Sequence, residues 1–447
     1  MHYYVLQRDA QSLLYDGHES VVHIPFVLRG DGYYPAELNR YLRTRSLAEW
    51  RPHLGHGALD THGRVRLLTR ESSRALANRL ATFFRWCERT GRDWRTVTYR
   101  EDLLSWQRGL LDGTASESGC GLGSSRVNNL VNEACFFLTW ASETPTLLGP
   151  AIRESLRVPT NIKRKKIALG RGGGDEALVQ QRVGELPVRR SQFHLPSEKE
   201  IGHWMKYLRA RFTVKSLMCE LILETGIRIH ECNEWRLDTL PPREKWKVRA
   251  AKIPVWIEHG IKGPKIFPNS TRSTKPRNIL VPLNLADEID HYRNVTRRNQ
   301  LRRWILAGHS PEERQRRAFA PKTDRLWLSE ASNQPFADQQ LYQAWVSTPY
   351  CPKDWHPHKG RHYFAVNQIV EWIRNDLAAR HNKSVPELTW LQGTMRDAVK
   401  LILSPLLGHC SDETTMLYLK AAHIRILEEF EHPALRWQKF CDQGDES

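Results

Sequence analysis

The chain has 447 residues, 40% of them hydrophobic and 26% charged, a balance that supports packed cores, excludes a wholly disordered chain and, at this length, predicts two or three domains. Lysine and arginine total 67 against 50 aspartates and glutamates, so the formal net charge is +17 and a polyanionic partner, nucleic acid above all, is expected. No stretch approaches the roughly 20 apolar residues of a bilayer span, the N-terminus lacks a secretory pattern, and the eight scattered cysteines form neither a zinc nor a disulfide framework.

Residues 1–61 read as an accessory region of unclear fold, with short β-favouring runs at 2–6 and 20–28 and a helical pattern at 35–50. A compact helical domain is predicted over 62–150. Its first helix carries Leu76, Leu80, Phe83, Phe84 and Cys87 on one face, a second covers 99–111, and a third starts near Ser124 with Val127, Leu130, Val131, Ala134, Cys135 and Leu138 inward. Residues 151–194 read as a linker that holds the basic run Lys163-Arg164-Lys165-Lys166 and a glycine-rich stretch at 170–174. Those four cations are candidate contacts to a nucleic-acid backbone, although a charge run is as often a solvated surface.

The next domain is placed at 195–425, with a tail at 426–447. Ser197 and Glu200 form the pattern of a capping box. Strand character covers 251–283 and a short strand is predicted at Leu326-Trp327-Leu328, with helices around them, so the whole reads as mainly α with a small β-hairpin or sheet (α+β). Trp235 and Trp372 read as core residues.

Three segments of this domain carry chemistry together. They are Thr225-Gly226-Ile227-Arg228-Ile229-His230-Glu231, then His358-Lys359-Gly360-Arg361-His362, then Leu407-Gly408-His409 with Tyr418 nine residues after the histidine. Two arginines from distant segments can clamp one phosphate, because each guanidinium is permanently charged and presents a planar fork. They would stabilise the charge that builds on the non-bridging oxygens of a phosphodiester under attack. Tyr418 is the candidate nucleophile. Its ordinary pKa of about 10 demands a proton acceptor, for which His358 is the candidate, and a positive field.

In these motifs the chain resembles the tyrosine recombinase (phage integrase) family over roughly 195–425, and 62–150 resembles, more weakly, that family's helical core-binding domain. The resemblance implies cleavage and rejoining of double-stranded DNA through a 3′-phosphotyrosine, without metal, ATP or other cofactor. The catalytic set it implies is Arg228, His358, Arg361, His409 and Tyr418, with Glu231 supporting them, and a lysine on a β-hairpin that protonates the departing 5′ oxygen. Lys275 is the nearest candidate lysine. An alignment on Lys275-Pro276-Arg277 would instead put Arg272 at that position, and Lys262 and Lys265 lie on the approach to the hairpin. Arg361 and His409 are separated by a longer stretch than the family leads one to expect, with an insertion around 375–388.

The resemblance further implies a homotetramer assembled on DNA, with accessory proteins as possible partners and a cytoplasmic, nucleoid-associated location. An apolar face formed by Ile424, Ile426, Leu427 and Phe430 could dock on a neighbouring copy. Two other readings share these residues: a type IB topoisomerase-like or hairpin-resolving enzyme, and a catalytically silent DNA-binding regulator.

Overall fold

The computed structural model describes residues 2–7, 13, 15–52, 67–144, 158–166, 176–187, 194–247, 251–262, 272–319, 324–379, 399, 403–408 and 412–429. The chain divides into two compact units, Met1–Ser191 and Gln192–Ser447. Helices dominate both, and each sheet among the described residues is a two-stranded antiparallel pair.

In the N-terminal unit, β1 (Tyr3–Leu6) pairs with β2 (Phe26–Arg29), and α1 (Ala36–Ser46) follows. Then come α2 (Arg70–Arg89), α3 (Leu104–Asp112) and α4 (Ser124–Glu143). Thr69 caps α2 with its side chain, and Leu76, Leu80, Phe83, Phe84 and Cys87 are buried, as their spacing predicts. The described part of the first 46 residues packs on the helical domain. Tyr3, Val27, Leu38, Tyr41 and Leu42 lie in the same apolar core as the helices that follow. A two-stranded hairpin cannot bury enough surface to stand alone, so it borrows the helical core.

The stretch read as a linker also differs. Its β3 (Thr160–Lys166) pairs in register with β4 (Glu176–Arg182), so that Lys163 faces Val179, Arg164 faces Leu178, Lys165 faces Ala177 and Lys166 faces Glu176. The hairpin is bolted to the helical core at its base. Buried Arg182 donates to Asn132 Oδ1, to Asn128 Oδ1 at 3.1 Å and to the Tyr99 hydroxyl at 3.1 Å, while Gln107 Nε2 donates to Gly184 O at 2.9 Å.

The C-terminal unit opens with α5 (Glu198–Arg211), whose start carries the predicted capping box, and α6 (Thr213–Thr225). The short α7 (Ile229–Asn233) follows. Next, β5 (Lys252–His259) pairs with β6 (Arg272–Pro282), with Val255 opposite Ile279 and Ile253 opposite Val281. Then come α8 (Leu283–His291), α9 (Arg297–Leu306), α10 (Pro311–Phe319) and α11 (Asp338–Val346). The last helices are α12 (Pro357–Ala379), α13 (Ser404–Leu407) and α14 (Asp412–Glu429). Leu326–Leu328 is no full strand; this stretch makes only isolated bridges, Arg325 to Arg236 and Leu328 to Pro335. One core gathers α5, α6, the β5–β6 pair and the tryptophans 204, 235, 327, 345 and 355. A second, smaller core joins α12 to α14. Trp235 is core, as expected, and Trp372 is packed against the second core. No described helix is long and apolar enough to cross a membrane.

Candidate active site

The site begins where α6 ends. Gly226 terminates that helix in the left-handed region, at φ 65°. A Cβ there would lie 2.3 Å from Phe364 Cδ1 and 2.9 Å from Leu407 Cδ2, so only glycine allows α12 and α13 to approach this turn. Two residues later Arg228 starts α7. Its backbone N–H donates to Glu231 Oε2 at 2.8 Å and its Nη1 to Glu231 Oε1 at 3.0 Å. The Arg228 side chain keeps 28% of its surface in solvent, enough to meet a ligand.

Glu231 is fully enclosed and has a second cation. Arg277 from β6 donates Nη1 to Oε1 at 3.0 Å and Nη2 to Oε2 at 2.7 Å. Its Nε donates to Leu406 O at 2.8 Å. Burial pushes the Glu231 carboxyl up, but the bonds and charge of Arg277, together with Arg228, outweigh it and hold the group below its ordinary range.

Arg361, on the first turns of α12, is 3% exposed. Its Nη1 donates to Gly226 O at 2.6 Å and its Nη2 to Leu407 O at 2.7 Å. Among the described residues those two main-chain carbonyls are its hydrogen-bond partners. Burial, and then the positive charge of Arg228, push its pKa down to about 10. It remains charged at neutral pH, and the carboxylate whose charge acts on it, Glu231, is already bonded to Arg228 and Arg277.

His358 and His362 sit one helical turn apart on α12, on the same face as Arg361, with ring centroids 4.4 Å apart. The Tyr418 hydroxyl, from α14, lies 2.9 Å from His362 Nδ1. His362, not His358, is thus the imidazole in hydrogen-bond contact with the candidate nucleophile. Partial desolvation, then the charges of Arg361, His356, Arg228 and Lys262, lower the His358 pKa. His362 is pushed down to about 3, by desolvation first and then by His358, Arg361, His356 and Lys359. Both rings are neutral near pH 7 and one nitrogen of each can accept a proton. Tyr418 itself is only 1% exposed, its ring packed in the smaller core.

Other expected residues fall at various distances from this cluster. Lys275 stands exposed on β6, and exposed Arg272 is paired with Glu258, its Nε 2.8 Å from Oε2. Lys262, just past β5, lies near enough for its charge to act on His358. Lys163 to Lys166 are the last four residues of β3 in the N-terminal unit. His409 and Lys265 lie outside the described residues, and so do 380–388 of the expected insertion and 430–447 of the tail.

Sequence reasoning missed two residues. His362 had a signal in its i, i+4 spacing from His358 and its place beside Arg361. Arg277 had one in strand alternation, because it shares the buried face of β6 with Ile279 and Val281.

No family model matches the chain, and no curated protein matches it. Solved structures similar to it include the XerH site-specific recombinase bound to a palindromic difH substrate in a post-cleavage complex, at 12% identity over 90% of each chain with a TM-score of 0.41. A lambda integrase dimer bound to a COC′ core site is similar at 11% identity, over 86% of this chain and 94% of that one, with a TM-score of 0.43. The Tn1549 transposon integrase in complex with circular intermediate DNA is similar at 13% identity, over 71% of this chain and 81% of that one, with a TM-score of 0.35. Likenesses of this size leave the functional reading to the side chains.

Proposed function

We propose that the chain is a tyrosine recombinase or integrase, a DNA strand transferase that cuts and rejoins duplex DNA through Tyr418. The observation that supports it most is the buried Arg361 guanidinium, bonded to two neutral carbonyls, beside the partly exposed Arg228 and the Tyr418 hydroxyl. Bringing a charge out of water costs several kcal/mol unless an opposite charge answers it. A phosphodiester seated between Arg228 and Arg361 answers it, and gains further as charge builds on its oxygens.

In this reading Tyr418 Oη forms the new bond to phosphorus while its proton passes to an imidazole, His362 being the one in contact. The bond from phosphorus to the 5′ oxygen breaks, and that oxygen takes a proton from a hairpin lysine. The product is a 3′-phosphotyrosine and a free 5′ hydroxyl. Rejoining is the reverse, and the bond energy is kept throughout, so the exchange calls for no nucleotide hydrolysis. His409 would donate to a non-bridging oxygen. Lys163, Arg164, Lys165 and Lys166 would grip the backbone, and recombination of two duplexes would use four protomers, with accessory proteins as possible partners.

One observation favours a second reading. Tyr418 is enclosed in apolar packing, as a purely structural tyrosine would be, which suits a DNA-binding regulator that never cuts. A nicked duplex that traps the covalent state separates the two. The wild-type protein should yield a detergent-stable protein–DNA adduct, and Tyr418→Phe should bind the same DNA with no adduct. Binding without an adduct by the wild type would leave the regulator.

A further inference from the structure

We infer that Arg277 is a positioning residue for the phosphate clamp: from β6 it fixes Glu231, through it Arg228, and at the same time the Leu406–Gly408 turn that leads to His409. The inference rests on the strand-transferase reading.

The geometry has three parts. Arg277 sits on the inward face of a strand, a place that Ile279 and Val281 fill with hydrocarbon. A charge there is retained only with close partners. Its fork takes both oxygens of Glu231, at 3.0 and 2.7 Å, and its remaining nitrogen, Nε, takes Leu406 O at 2.8 Å. Each of the three guanidinium nitrogens thereby makes a bond inside the protein, and the side chain is buried.

Glu231 then passes the constraint on. The same two oxygens that hold Arg277 hold the side chain and the backbone N–H of Arg228. Without Arg277, each oxygen keeps a single partner, both of them on Arg228, and nothing ties the Arg228–Glu231 pair to β6. The third part is steric. Gly408 has a φ of 62°, and a Cβ on it would lie 3.2 Å from Arg277 Cδ. The turn between α13 and the segment starting at His409 is therefore shaped against the Arg277 stem. One side chain ties together the start of α7, the hairpin and that turn, which are far apart in sequence.

Arg277→Met removes the charge and keeps much of the volume. With the wild type active, we expect adduct formation on the nicked duplex to slow roughly 10- to 100-fold, the usual cost of loosening a supporting contact, while DNA affinity changes little. The pH profile supplies a second readout. Glu231 is faced by Arg228, Arg277, the Arg361 charge and the neutral Cys232. Loss of Arg277 removes a large lowering influence and lets burial raise the carboxyl, so on acidification the variant should lose activity at a higher pH than the wild type does, and Glu231→Gln in the same chain should abolish that difference. Arg277→Lys should recover part of the rate.

Folding is controlled by Arg277→Met with Glu231→Met, which replaces a buried ion pair with hydrocarbon and should restore the melting temperature without restoring the rate. If that double variant regains the wild-type rate, or if Arg277→Met cleaves at the wild-type rate with the wild-type pH profile, the inference is overturned and the strand-transferase reading stands. A wild type that forms no adduct overturns both.

Discussion

Burying Arg361 strips its guanidinium of water, and two main-chain carbonyls replace only part of that hydration. This is why the residue reads as half of a binding site instead of a structural ion pair. The leaving-group lysine is a question of the same scale. An arginine cannot serve, with a pKa above about 12, and Arg272 is committed to Glu258 in any case. Lys262 and Lys275 are both exposed, and of the two it is Lys262 whose charge acts on His358. A substrate whose 5′ bridging oxygen is replaced by sulfur needs no protonation to depart. Lys262→Ala should therefore be slow, by roughly 100-fold, on the ordinary substrate and near normal on the sulfur one, general acid catalysis contributing on the order of 10²–10⁴. Rescue of Lys275→Ala and not of Lys262→Ala would give the role to Lys275. Arg228, Glu231 and Arg361 could be picked out from the sequence because each lies in a short pattern with a chemical reason. For Arg277 strand alternation signals only an inward place, because its partners, Glu231 and Leu406, are 46 and 129 positions away and no local pattern carries that pairing.

Among the elements, the helices were the most readable. The apolar spacing in α2 and α4 and the capping box of α5 fix both their faces and their starts. The β3–β4 hairpin was hidden because Lys163 to Lys166 show no alternation of polar and apolar residues, and the pairing joins Thr160 to Arg182 across a glycine-rich stretch. The turn after α6 is the element on which the site most depends. Its glycine combines a left-handed backbone, a carbonyl for Arg361 and contact distance to Phe364 and Leu407. Gly226→Ala should lower stability by about 1–3 kcal/mol, from backbone strain and overpacking together, and should depress cleavage by the surviving folded protein. Thermal melting and adduct assays run side by side check this; an unchanged melting temperature would refute the packing account.

For the whole molecule, the net charge of +17 makes grip on DNA, in the proposed reading, a matter of counterion release. The four cations of β3 should account for up to about four units of the slope of log affinity against log salt, since each phosphate neutralised contributes about 0.9. Replacing them with glutamine should flatten that slope, and lower affinity at low salt far more than at high salt. A salt titration that gives the same slope for both proteins would remove the hairpin from the interface. The division of the chain was readable only in part. The boundary near 192 agrees with the composition shift into the capping box at Ser197, but the first 46 residues carry no sign of sharing the helical core, because that sharing is set by Tyr3, Val27 and Tyr41 meeting residues far along the chain.

The C-terminal unit has two apolar cores, and they hold different working parts. Ile227 and Cys232, the neighbours of Arg228 and Glu231, belong to the larger one; Tyr418 belongs to the smaller one, and α12 runs through both. A slip confined to the smaller core, which also contains the Leu407 whose carbonyl holds Arg361, would draw the blade back and loosen one jaw of the grip with it. In the proposed reading, cutting is thus coupled to one half of the hold and separate from the other, and a strand gripped by Arg228 alone meets no blade.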